Sequence, residues 1–165
     1  MARITLSPKI GFANVTSLVV GDQVVIGDAQ RVTGQWYEVG VVIRGTKTQC
    51  VITTPSYPDY RVRRHDAYVV GKSHCTVYPL NEQTRAAVAD SHLRRQLARF
   101  HLIIQQHATP AEINAVCAIA PTMFDHLDGF SKAMLLAQYL REHGTRDEVE
   151  AYLALGQRLQ EQHAV

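Results

Sequence analysis

Arginine is the residue type whose placement carries the most chemistry in this chain. In Tyr60-Arg61-Val62-Arg63-Arg64-His65 a strand would turn Arg61 and Arg63 to one side and Tyr60, Val62 and Arg64 to the other. In the preceding hairpin, alternation sends Tyr37, Val39, Val41 and Ile43 inward and leaves Trp36 and Glu38 outside. Cys50 and Ile52 then point in, and Lys47 and Gln49 out. The expected outer face collects Trp36, Lys47, Gln49, Arg61, Arg63 and His65, opposed by Glu38. Cations beside an aromatic platform suit phosphate contact with base stacking. The same residues also fit the charged outer face that protects a sheet against aggregation. A second basic cluster, Arg94, Arg95 and Arg99, has helical spacing with Asp90 four residues before Arg94, a favourable ion-pair order. Arg95 and Arg99 repel each other at i, i+4, so they are expected to meet an anionic partner or acidic residues elsewhere in the chain.

The other reactive residue types are spaced against catalysis. The three cysteines, Cys50, Cys75 and Cys117, form no Cys-x-x-Cys pair, which argues against a disulfide framework and against a zinc ribbon. None of the eight histidines stands in a His-x-x-x-His pair. His74 and Cys75 are neighbours, and adjacency rarely lets both side chains reach one ion, so no metal site and no cofactor is expected. Cys50 reads as inward and inert, Cys117 as a small core residue in an apolar segment, and Cys75 as the thiol most open to exposure. Asp125-His126-Leu127-Asp128-Gly129 lacks the regular oxygen ligands of a calcium loop and reads as a break before a helix at Phe130. Nucleophile-elbow, P-loop and dinucleotide glycine motifs are absent. The expectation is binding, not enzymatic turnover.

The elements that must position these residues change character halfway. Gln23 to Gly27, led into by Val19-Val20-Gly21-Asp22, then Trp36 to Ile43, Lys47 to Thr53, Tyr60 to Arg64 and Ala67 to Gly71 read as about five short strands, with Arg44-Gly45-Thr46 as a tight turn and Thr54 to Asp59 as a wider, proline-bearing loop. From Glu82 the spacing becomes helical. Leu93, Leu97, Phe100 and Ile104 stripe a helix to about His107, and Thr109-Pro110-Ala111-Glu112 is a capping box opening a second that ends before Pro121. Phe130, Ala133, Met134, Ala137 and Leu140 stripe a third, stopped by Gly144. Thr145-Arg146-Asp147-Glu148 caps a fourth, with Val149, Tyr152, Leu153 and Leu159 inward. The fold expected is α+β: an N-terminal small β-barrel over residues 1–80, then a C-terminal four-helix bundle over 81–165.

Val20-Gly21-Asp22-x-Val24-Val25-Ile26, with Gly34 and Gly40-Val41-Val42 following, resembles the opening hairpins of SH3-like small barrels, particularly the KOW-type barrels of ribosomal and transcription-associated proteins. The resemblance spans about residues 18–72 and implies a small barrel that serves nucleic-acid or protein recognition. Where that family carries a lysine-rich glycine loop, residues 27–34 here hold the single basic residue Arg31.

Charge follows the same division. The whole 165-residue chain carries +2, but residues 1–80 hold nine Lys/Arg against five Asp/Glu (+4), and residues 81–165 eight against ten (−2). The longest apolar run, Ala115 to Ala120, is far short of the ~20 residues a membrane helix needs, so a cytoplasmic protein is expected. Two partners fit: RNA or DNA on the basic face through Trp36, Lys47, Arg61, Arg63, Arg95 and Arg99, or a larger host protein docked on the acidic, apolar-rich helical half, in the manner of a phage-type regulator.

Overall fold

The computed structural model describes residues 4–29, 36–118 and 124–163. Strands precede helices, as in an α+β chain: β1 (Gln23–Asp28), β2 (Trp36–Gly45), β3 (Gln49–Thr54), β4 (Tyr57–Arg63) and β5 (Cys75–Pro79), then α1 (Glu82–His107), α2 (Pro110–Cys117), α3 (Gly129–Glu142) and α4 (Arg146–His163). Two compact units result, residues 4–91 and the described residues from 92 onward; the division falls within α1, between Ser91 and His92.

The sheet is antiparallel throughout, in the order β4-β3-β2-β1-β5. The β2–β3 hairpin is present as expected, and β4 follows it after a tighter turn than its prolines imply, with Thr54 paired to Tyr57. Pro58 is tolerated because β4 is an edge strand and needs its N–H groups on one side alone. The strand expected over Ala67–Gly71 is a correction. Val69 makes only a bridge to Val62, and Ala67 (φ 52°) and Gly71 (φ 74°) adopt left-handed backbone that a ladder does not accept. The fifth strand is β5, which pairs with β1.

Both faces of the sheet are covered at β1, β5 and the start of β2, and this overturns the simple alternation expected of β2. One face buries Val24, Ile26, Val42, Cys50, Ile52, Tyr60, Val62 and Val77. The other buries Val25, Tyr37 and Tyr78 under Leu6 and under Ala87 and Val88 of the first turns of α1. Tyr37 and Val39 therefore pack on this second face, while Trp36 and Glu38, expected outside, are 7% and 5% exposed. Glu38 accepts hydrogen bonds from the backbone N–H and hydroxyl of Ser56. Gly27 lies under the edge-on Tyr37–Tyr78 ring pair; a Cβ there would stand 2.7 Å from Tyr78 Cε2.

The helices start and stop where their caps dictate. Asn81 and Thr84 exchange hydrogen bonds at the head of α1, Thr109 and Glu112 form the full box of α2, and Asp128 Oδ1 accepts from Ser131 N at 2.7 Å to open α3. Thr145 and Glu148 reciprocate at α4. Pro121 lies outside the described residues; α2 has ended by Cys117. The core of this unit joins Leu97, Phe100, Ile104, Val149, Tyr152 and Leu159 to their neighbours. The α3 stripe holds at Ala133, Ala137 and Leu140 and is corrected at Phe130 and Met134. Ala133, Leu136, Ala137 and Leu140 are buried, whereas Phe130 and Met134 are 61% and 47% exposed; Leu136, on the same side as the alanines, takes the place in the core expected for the two larger residues. No helix among the described residues is long and apolar enough to cross a membrane.

Candidate functional site

The basic face is built by cross-strand register. Arg44 on β2 pairs with Val51 on β3, and Val51 pairs with Arg61 on β4. Two arginines thus flank one valine, their backbones separated by two strand spacings, about 10 Å. A β-bulge between Val42 and Arg44 makes this possible. Without the extra residue, Arg44 would follow Val42 into the core; with it, Arg44 emerges on the outer face while Ile43 is 50% exposed. Arg44, Gly45, Thr46, Gln49, Val51 and Arg61 line a groove of about 350 Å³ here.

The expected site residues fare differently. Lys47 and Gln49 are exposed beside this groove, as expected. Arg61 is exposed on the outer face and donates to Asp59 Oδ2 at 3.2 Å; Arg63, two residues on, donates to Asp66 Oδ2 at 2.6 Å and stacks over the Tyr68 ring at 4.5 Å. His65 lies in the same turn, its Nε2 3.4 Å from Asp66. Trp36 is not on this face; it is buried opposite Asp28. The aromatic surface beside the arginines is Tyr68, 39% exposed. Arg44 and Lys47 have no acidic partner among the described residues, so both are open to an external anion.

Arg64 and Arg94 are structural. Arg64 donates to the carbonyls of Val15, Thr16 and Leu18 through Nη1 (2.8, 3.1 and 2.8 Å) and of Thr46 through Nε (2.8 Å). Arg94, 1% exposed, donates to the carbonyls of Leu140 (2.5 Å) and Gly144 (2.8 Å) at the end of α3, where a cation also meets the negative pole of the helix. Arg95 is half-buried and engaged within the chain. Arg99 lies over the Phe100 ring at 5.5 Å and lines a groove of about 670 Å³ that also holds Glu150 and Glu161. Glu150 and Glu161 belong to α4, where they accept from Arg146 and Gln157, and their charge is unfavourable to a phosphate in that groove.

The thiols divide by environment. Burial pushes the Cys50 and Cys117 thiols up, which holds them protonated and inert. Cys75, expected to be exposed, is buried at 8% and directly opposite Asp28 across the β1–β5 ladder. His74 Nε2 lies 3.6 Å from Asp28 Oδ1, and one ligand atom from each of Asp28, His74 and Cys75 lies within 4.8 Å of the other two. Adjacency of His74 and Cys75 therefore does not keep them apart. Cys75 points inward from the strand, and His74, just before the strand begins, reaches over its end. Asp28 is the member that sequence reading missed, since cross-strand pairing of β1 with β5 has no local signal. The chain matches no known family, no curated protein and no solved structure with which it was compared.

Proposed function

We propose that the sheet unit is a non-enzymatic nucleic-acid-binding module, an SH3-like small barrel of KOW type joined to a helical bundle, that holds phosphates along the outer face of β2, β3 and β4. Arg44 and Arg61 straddle Val51, Lys47 extends the positive face, and Arg63 with Tyr68 offers a base a cationic and aromatic surface. The observation that carries this reading is the Arg44–Val51–Arg61 register, which gathers cations that the bulge had to bring to one side. Asp59 and Asp66 temper Arg61 and Arg63 but leave their guanidinium groups partly exposed, 60% and 42% by side chain.

Binding of labelled single- and double-stranded oligonucleotides at low salt tests it. The wild-type chain is expected to bind at least one of them. Arg44→Ala with Arg61→Ala is expected to weaken that binding by about tenfold or more, since every phosphate left without its arginine keeps its counterions and forfeits the free energy of releasing them. Absence of binding to either form overturns the reading. The exposed Phe130 and Met134, one turn apart on α3, favour a second reading, capture of a larger protein by the helical half. A partner that co-purifies, survives nuclease treatment and disappears on Phe130→Ser would favour it over the first.

A further inference from the structure

The β1–β5 end of the sheet carries a donor set that phosphate binding does not use. Asp28 and Cys75 are a direct cross-strand pair, whose Cβ atoms such pairing holds about 5 Å apart on one face. His74 is tied to the same place by its backbone: its carbonyl accepts from Ala29 N at 3.1 Å, and Cys75 N donates to Lys72 O at 3.0 Å. The turn beneath, from Val69 to Lys72, uses Gly71 in left-handed backbone, and Lys72 N donates to Val69 O. The His74-Cys75 dipeptide is thus fixed against β1.

We propose that Asp28, His74 and Cys75 form a binding site for one zinc-class divalent cation, with three protein ligands and a fourth position for water or an exogenous ligand. Tetrahedral zinc with sulfur at ~2.3 Å and nitrogen or oxygen at ~2.0–2.2 Å needs ligand atoms about 3.3–3.8 Å apart. The imidazole–carboxylate separation of 3.6 Å already meets this. The wider separations, at most 4.8 Å, close with a shift of about 1 Å, within reach of side-chain rotation.

The donor set also selects the ion. One thiolate sulfur, one imidazole nitrogen and one carboxylate oxygen suit zinc or cobalt(II); magnesium and calcium require six or more oxygens. Asp28 and Cys75 are each 8% exposed and the His74 side chain 20%, so the site is sheltered and opens at the histidine. On binding, the Cys75 thiol forms the metal–sulfur bond and gives its proton to solvent. No residue of the phosphate face takes part, so this site stands or falls independently of nucleic-acid binding. Trp36, the sole tryptophan, pairs with Asp28 from the β2 side and reports on the site.

The test loads the full chain with Zn²⁺ or Co²⁺ after stripping with a chelator. One equivalent is expected to stay with the protein through gel filtration. Co²⁺ is expected to give a thiolate-to-metal charge-transfer band, intense tetrahedral visible bands and quenching of Trp36 fluorescence. His74→Gln, at a partly exposed turn position, should keep the fold by circular dichroism and weaken binding by on the order of 100-fold or more, beyond the loss that a supporting residue gives. Cys75→Ser should abolish the charge-transfer band. His163→Gln, in the His107–His163 ring stack at 4.0 Å, should change nothing. Should the cysteine variant fail to fold, zinc protection of Cys75 against alkylation in the wild-type chain, read by peptide mass mapping, serves instead. Absence of retained metal, retention unchanged by His74→Gln, or alkylation of Cys75 at the same rate with and without zinc would each overturn the site.

Discussion

Single arginines do four different jobs in this chain, and the surroundings of each decide which. Arg64 binds four backbone carbonyls, three before β1 and one in the β2–β3 turn, and so fastens the segment before β1 to that turn. Removing it gives up four charge-assisted hydrogen bonds, two of them part-buried, and releases a backbone segment at once. Arg64→Ala is therefore expected to cost about 2–4 kcal/mol in denaturant unfolding of the sheet unit, with Arg64→Lys recovering little because one ammonium cannot span both acceptor sets. A cost below about 0.5 kcal/mol would show the clamp to be incidental. Arg94 closes the end of α3, Arg99 faces acids on α4, and Arg44 stands without an acidic counterpart among the described residues. Residue type and alternation identified Arg61, Arg63 and Lys47 as outward. They could not identify Arg44, because its orientation depends on a bulge, nor the burial of Trp36, because that depends on a second layer covering the sheet.

At the scale of elements, the helix boundaries were largely legible because capping is local chemistry. Thr109-x-x-Glu112 and Thr145-x-x-Glu148 open helices where their spacing requires. The strands were legible where a tight hairpin joins them and illegible where pairing is remote: β5 was missed, since its partner β1 lies some fifty residues earlier. Two predictions belong here. Gly156 lies in α4 against α1, and a Cβ there would stand 2.4 Å from Phe100 Cβ. Gly156→Ala is accordingly expected to destabilise the helical unit by about 1–3 kcal/mol despite the better helix propensity of alanine; a more stable variant would refute that close approach. The second concerns acid. Glu112 is held below its ordinary 4.5 by the Thr109 backbone N–H, then by the Thr109 hydroxyl and Arg158; Asp128 is held below 3.8 by the Ser131 backbone N–H. Both carboxylates favour the folded chain above their unfolded values and lose that contribution as pH falls through their lowered folded ones. Thermal midpoints followed by circular dichroism should hold level from neutral to about pH 5 and decline below it, and Glu112→Gln should shallow the decline. An unchanged slope in that variant would contradict the assignment.

For the molecule as a whole, the small net charge conceals a division of labour. The strand half carries the positive excess, and the structure gathers part of it around Arg44, Val51 and Arg61 instead of spreading it evenly. The helical half is acidic, and its arginines are largely answered within its own fold. Composition could show the division but not the gathering, which required the register of three strands. Counterion release supplies the most direct test of the central claim. Nucleic-acid affinity measured over a range of salt should fall linearly on logarithmic axes. Arg44→Ala with Arg61→Ala should shallow that line by about 1.4–1.8, near 0.7–0.9 for each phosphate no longer neutralised, while Arg99→Ala leaves it unchanged. A slope that the double variant does not alter, or one that Arg99→Ala alters as much, would contradict phosphate binding by this face.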